Sequence, residues 1–298
     1  MRPLTGNRPK SNFLSGLPLS VLHPMRRVKR AGYAWLNRSR FQAHLRPTDV
    51  FLVGHPKSGN TWLALMLGVL LEKRREGKIT LANVKDFIPA FHADDASIRD
   101  FDHLSDPRIF RNEGPVYPDL YPKTLCIIRD PRAVYVSYYR HLCHDQVVLQ
   151  GRASPWSMEQ FVDEILTHGC LRNHEPYLVR WDRQVRDWLA RAKSQPVLIV
   201  RYEDMKQDRR AVLEKAAAFI GLDCEAGDID RAVERGSFDS MREEEKTHGA
   251  EPYSGTRGEG GFFVRKGSVD GWKKEMPTAI EEKILDQFSA TMEAVGYL

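Results

Sequence analysis

Apolar residues fall along this chain in two spacings. Residues 49–54 (DVFLVG), 124–128 (TLCII) and 197–200 (VLIV) are short, nearly unbroken apolar runs. Runs of that length and composition read as strands buried on both faces. Each is followed by apolar positions recurring every three or four residues. After the first run, Trp62, Leu65, Met66, Val69 and Leu70 mark one face of a helix over 61–72. After the second, a helix is predicted from Ala133 to about His144. After the third, one is predicted over 211–220, with Gly221 placed to end it. Further helical spacing covers 26–44, 158–166, 177–192 and 278–295. Residues 1–24 are rich in Pro, Gly and Ser, and 247–271 in Gly, so both read as irregular. Residues 82–112 mix the two spacings and give no clear element.

Strands alternating with helices predict an α/β fold, a single domain with a central parallel β-sheet flanked by helices on both faces. No internal repeat or linker divides the chain. In such folds ligands bind beyond the carboxyl ends of the strands. All three predicted strands deliver polar sequence there, at 55–61, 129–132 and 201–204.

Composition narrows the class. The chain has 298 residues, and no apolar run approaches the ~18 needed to span a membrane. Residues 1–30 show no apolar core or cleavage site of a secretory signal. The four cysteines, Cys126, Cys143, Cys170 and Cys224, are too sparse for a disulfide scaffold, so reduced thiols in a cytoplasmic protein are expected. Net charge is +5, with basic residues crowded at Arg26, Arg27, Lys29, Arg30, Arg38, Arg40 and Arg46. Residues 1–45 therefore read as a basic extension, partly irregular and partly helical. It fits packing on the domain or weak contact with an anionic membrane surface. No stacking aromatics or recognition helix accompany it, so nucleic acid is not an expected partner.

The densest chemistry lies between the first strand and its helix, in HPKSGNTW, residues 55–62. A strand-to-helix loop gathers free backbone N–H groups and the positive end of the helix dipole, which favours an anion. Gly59 allows close approach of the backbone, Lys57 adds a charge, and Ser58, Asn60 and Thr61 add polar partners. The order is not the GxxxxGK[ST] of ATP-binding loops, because the lysine precedes the glycine.

This loop resembles the 5′-phosphosulfate loop, PKSGTTW, of sulfotransferases that use 3′-phosphoadenosine 5′-phosphosulfate (PAPS). Three more elements follow in that family's order. IIRDPRAVYVSYYRH at 127–141 matches its strand-and-helix element, YEDM stands at 202–205, and RKGSVDGWK at 265–273 is similar to its RKGxxGDWK. The resemblance implies a P-loop-like sulfotransferase domain over 46–298 that moves a sulfuryl group from PAPS to a hydroxyl acceptor.

The resemblance also implies roles. Lys57 and the loop from Ser58 to Thr61 would hold the 5′-phosphate and neutralise it as it leaves. Arg129 and Ser137 would hold the 3′-phosphate, with Arg265, Lys266 and Gly267 closing over it. Trp62, Tyr202, Phe238 and Met241 would surround the adenine. In many relatives a Lys-Ser/Thr-His element supplies the general base. Here that stretch reads Arg111-Asn112-Glu113. A glutamate is ordinarily ionised at neutral pH and accepts a proton. Glu113 is thus the candidate base, with His55 and His103 as fallbacks. Asp270-Gly271 reverses the family's usual Gly-Asp within the closing loop.

His141 and His144 share a helix face, but two histidines beside Cys143 make a thin metal site. No metal is expected, since the Lys and Arg side chains neutralise the phosphates. The acceptor is left open among glycan, glycolipid, phenol and small alcohol. Relatives are often homodimers, which the residues themselves do not decide. The alternative functions are a P-loop kinase or NTPase and a catalytically inactive nucleotide-binding relative.

Overall fold

The computed structural model describes residues 37–90, 98–144, 156–169, 179–250, 264 and 267–298. Within them four strands form one parallel sheet: β1 (Val50–Gly54), β2 (Ile109–Asn112), β3 (Lys123–Ile128) and β4 (Val197–Arg201), in the order β2-β1-β3-β4. Three had been expected. The fourth, β2, pairs with β1 from Val50 opposite Ile109 to Val53 opposite Asn112. Only Ile109 and Phe110 in it are apolar, and its second half is Arg111-Asn112, so it lacks the apolar run that marks the others.

Side chains alternate across the sheet, and this splits the core in two. Phe51, Val53, Phe110, Cys126 and Ile128 face one cluster. Val50, Leu52, Ile109, Leu125 and Ile127 face the other. On the first side pack α1 (37–44), α4 (Pro131–His144), α5 (Met158–His168), α6 (Trp181–Arg191) and α11 (Thr278–Ala294). On the second lie α2 (Asn60–Leu71), α3 (Val84–Phe87), α7 (Tyr202–Gln207), α8 (Arg209–Ile220), α9 (Ala226–Arg235) and α10 (Phe238–His248). Helices thus cover both faces, and the chain folds as a single α/β domain.

Of the helix predicted over 26–44, only 37–44 lies among the described residues, and most of the irregular 247–271 lies outside them. Gly221 ends α8 in the left-handed conformation, φ 88°, as its position implied. Four helices escaped the sequence reading: the short α3 and α7, and the longer α9 and α10. In α9 the buried face is Asp228, Ile229 and Ala232, and in α10 it is Met241 and Glu245. In α9, Ile229, Ala232 and Val233 recur at helical spacing within a short, half-charged stretch, whereas α10 is mostly charged and its apolar spacing is faint. The signal for α10 was a cap: the Ser237 side chain accepts a hydrogen bond from the Ser240 N–H.

Candidate active site

The carboxyl ends of the strands open into a cavity of ≈ 420 Å³. Its floor is the loop from Pro56 to Gly59. Two of its residues have left-handed backbones, Lys57 at φ 68° and Gly59 at φ 106°. Such a run turns successive N–H groups toward one point, an anion-binding concavity. Ser58 N–H closes the turn on the His55 carbonyl at 3.1 Å. Then α2 begins at Asn60 with no side-chain cap and no acidic residue in its first turn, which leaves its N-terminus available to an anion. A Cβ at Gly59 would sit 2.9 Å from the Tyr202 ring, so the loop requires glycine there.

Arg129 follows β3 and is anchored on three sides. It donates to the Lys57 carbonyl at 3.1 Å and to the Ser268 carbonyl at 3.3 Å, and lies 4.0 Å over the Tyr202 ring. Its own carbonyl accepts from Trp181 Nε1 at 3.0 Å. Asp130 does not pair with it. Asp130 instead grips Arg132, which also pairs with Glu281. Burial raises the Tyr202 phenol above its ordinary pKa, partly offset by Arg129.

Aromatic groups form the second wall. Trp62 Nε1 donates to the Gly236 carbonyl at 2.8 Å, and its ring meets Tyr202 edge-on at 5.3 Å between centroids. Phe238 and Met241, from the first turn of α10, line the same cavity, as does Ser137 from α4. Gly267, at φ 56°, lies against Phe238, where an added Cβ would be 3.3 Å from the ring.

Glu113 stands just past the end of β2. Its Oε1 accepts from Asn60 Nδ2 at 3.2 Å, and its carbonyl accepts from Gln184 Nε2 at 3.2 Å. The Asn60 amide also reaches the His55 carbonyl at 3.1 Å. Beside it, Arg111 donates to Thr61 Oγ1 at 3.3 Å. One cavity therefore gathers Lys57, Gly59, Asn60, Thr61, Trp62, Glu113, Arg129, Ser137, Tyr202, Phe238, Met241 and Gly267.

Three sequence candidates stand apart, and two more fall outside the described residues. Ser58 is buried beneath the loop. Arg265 and Lys266 lie outside the described residues. Neither fallback histidine joins the lining. His55 is buried behind the loop, edge-on to Tyr135 and Tyr138, and burial pushes its pKa down to about 4. His103 is exposed, its Nδ1 3.0 Å from the Asp100 carbonyl. The side chain of a residue adjoining the loop goes to whichever sheet face the strand register dictates, and proximity in sequence did not reveal that for His55.

The family model described as "Sulfotransferase domain" matches residues 47–296. The chain belongs to the sulfotransferase family. Sulfotransferase 1E1 of Homo sapiens is 26% identical over 272 residues, spanning 87% of this chain and 88% of its own. The amine sulfotransferase of Oryctolagus cuniculus is 25% identical over 260 residues, spanning 84% of this chain and 82% of its own. The crystal structure of mouse sulfotransferase SULT7A1 complexed with PAP shares the fold, with a TM-score of 0.60, 23% identity, and coverage of 84% of this chain and 86% of that one.

As a sulfotransferase the protein is a transferase that takes its sulfuryl group from PAPS, and its fold is the P-loop-like one of that family. The residues present fit such a substrate. Arg129 Nε is a buried polar atom with no partner among the described residues. A bare backbone at Gly59, a cationic rim and two aromatic faces suit a phosphorylated nucleoside. Among the described residues no three His, Cys, Asp or Glu side chains gather in a metal-binding group. The side chains of Cys143 and His144 are outside that description. Sequence reading missed Lys206, Arg209 and Trp272 as lining residues. The spacing of Lys206, one helical turn after Tyr202, was the available signal. In the closing loop Asp270 pairs with Lys273 at 2.8 Å, and a Cβ at Gly271 would meet Ser268 at 3.3 Å.

Proposed function

We propose that this sulfotransferase transfers the sulfuryl group of PAPS to a hydroxyl, with Glu113 as the base. The observation that carries the reading is the 3.2 Å hydrogen bond from Asn60, in the anion loop, to the Glu113 carboxylate within one cavity. Glu113 takes the acceptor proton as the new oxygen–sulfur bond forms. Lys57 and the N–H groups of Gly59 to Thr61 neutralise the charge left on the 5′-phosphate as its bond to sulfur breaks. Arg129 and Ser137, closed over by Arg265, Lys266 and Gly267, hold the 3′-phosphate. Trp62, Tyr202, Phe238 and Met241 enclose the adenine. Catalysis here is positioning and charge neutralisation around an in-line transfer.

The domain extends over 46–298, preceded by a basic extension at 1–45 that touches anionic membrane surfaces weakly from the cytoplasm. Binding to anionic vesicles that survives neutralisation of Arg26, Arg27, Lys29 and Arg30 removes that part. The acceptor is a glycan, glycolipid, phenol or small alcohol. The likeness to a protein named amine sulfotransferase supports an amine as the second reading, which turnover on matched alcohol and amine panels decides. A homodimer is the proposed assembly, and sedimentation reads it out.

The experiment that tests the cofactor site is calorimetric titration with 3′-phosphoadenosine 5′-phosphate (PAP), beside ADP and ATP with magnesium. PAP binds in the micromolar range and ADP at least about 100-fold more weakly, a gap of about 2.7 kcal/mol. Arg129→Ala removes most of that gap. Equal affinity for PAP and ADP, or no binding of either, refutes the assignment.

A further inference from the structure

The cation set of the cavity is larger than the family motifs account for. Lys206 lies on α7, one turn after Tyr202, and Arg209 opens α8. Both line the cavity together with Arg129. The Lys206 ammonium sits 5.8 Å from the centroid of the Trp62 ring. It is also 3.6 Å from where a Cβ on Gly267 would stand, so it abuts the closing loop. Arg209 Nε is buried with no acceptor among the described residues, and Arg129 Nε is in the same condition.

The charges that act on Lys206 are those of Arg209 and Arg129, and they lower its pKa after the larger effect of burial. Three cations share a half-buried wall, and neither charge acting on the ammonium is a carboxylate. Like charges in such a place repel at reduced dielectric, and an anion between them removes the cost. The fold keeps them together where Gly267, Arg129 and Trp62 meet, at the boundary of the aromatic wall and the closing loop.

We propose that Lys206, backed by Arg209, is a further nucleotide-binding residue that reads the 3′-phosphate from the α7 side. The proposal rests on the reading of Arg129 and Gly267 as the 3′-phosphate site and adds a side chain to it. Lys206 supplies a mobile point charge opposite the fixed fork of Arg129. Because its ammonium also lies over Trp62, it couples the phosphate to the aromatic wall.

Lys206→Met keeps the apolar stem and removes the charge. In calorimetric titrations it weakens PAP about tenfold, or about 1.4 kcal/mol, and changes ADP less than about twofold. Lys206→Arg, which restores a cation, recovers PAP affinity to within about threefold of wild type. Arg209→Met weakens PAP by a smaller factor. Thermal melts of the free variants within about 2 °C of wild type show that the fold is kept. If wild type separates PAP from ADP and Lys206→Met binds PAP within twofold of wild type, the role of Lys206 is wrong and the site at Arg129 stands. An equal loss for PAP and ADP in Lys206→Met also overturns it, since the 3′-phosphate is then not what Lys206 reads. If wild type itself binds PAP and ADP alike, the underlying site is refuted and this proposal falls with it.

Discussion

Replacing Gly59 with alanine adds one methyl group at the tightest point of the anion loop. Gly59 has φ 106°, a conformation that costs an L-residue about 1–3 kcal/mol. The new Cβ would lie 2.9 Å from Tyr202 Cδ2 and 3.2 Å from Ile127 Cδ1. The first contact is about half an ångström inside ordinary van der Waals distance, so the ring has to move. That ring carries Arg129 at 4.0 Å on its face and Trp62 at 5.3 Å on its edge, so its displacement reaches two walls of the cavity. Strain and clash together come to about 2–4 kcal/mol, divided between folding and nucleotide binding. If folding takes all of it, the melting temperature falls by roughly 3–6 °C. If binding takes all of it, the Kd for PAP rises at least about 30-fold. Thermal melts without nucleotide and calorimetric titration of the same preparation measure both shares. A melting temperature within 1 °C of wild type together with a Kd within twofold would refute the reasoning.

Glu113→Gln keeps the shape of the side chain and an oxygen for Asn60 but removes the base. Turnover falls by about 10²–10⁴ while PAP affinity stays within about threefold, measured by sulfate transfer and calorimetry; unchanged turnover at saturating acceptor removes Glu113 from the role. His55 is held neutral by burial, with its pKa lowered from 6.5 to about 4. The unfolded chain takes up that proton first, so His55 contributes stability above pH 6.5 that is lost as pH falls toward 4. The whole contribution is about 3 kcal/mol. His55→Phe makes the plot of unfolding free energy against pH shallower in that window by up to about 1.4 kcal/mol per unit, and parallel plots contradict the assignment. Asp49 accepts from Arg108 Nε at 2.8 Å and Nη2 at 2.6 Å, with both side chains wholly buried. Asp49→Asn leaves that guanidinium short of a counter-charge and costs about 3 kcal/mol, because Asp102 remains as a partner. Denaturant unfolding reads this, and PAP affinity does not change; a loss below about 0.5 kcal/mol sinks the account.

The strands β1, β3 and β4 were legible because each is apolar on both faces, and a strand between two helix layers admits little else. Helices α2, α4 and α11 were legible from apolar spacing, and α8 from spacing plus the glycine that ends it. Strand β2 was not, because it is four residues long and half polar. Its polar half carries Arg111 to the cavity and ends beside Glu113. Helix α9 carries a clear but short apolar face, and α10 buries only Met241 and Glu245 among charged residues, so neither offered a long apolar stripe. Motif order placed the anion loop, Arg129 and Tyr202 near one another before any geometry was available. It did not show that His55 turns behind the loop, which depends on which sheet face its position serves. Nor did it show Lys206 and Arg209 at the rim, and the meeting of Lys206 with Gly267 depends on how the closing loop packs.

The side-chain amide of Asn60 has a double allegiance. It donates to the His55 carbonyl at the base of the anion loop and to the carboxylate of Glu113. On the proposed reading of Glu113 as the base, whatever settles into the loop also adjusts the group that faces the acceptor. The two substrates are then linked thermodynamically, and linkage of that kind is reciprocal. The ratio of acceptor affinities with and without PAP equals the ratio of PAP affinities with and without acceptor. Removing the Asn60 amide brings both ratios toward one.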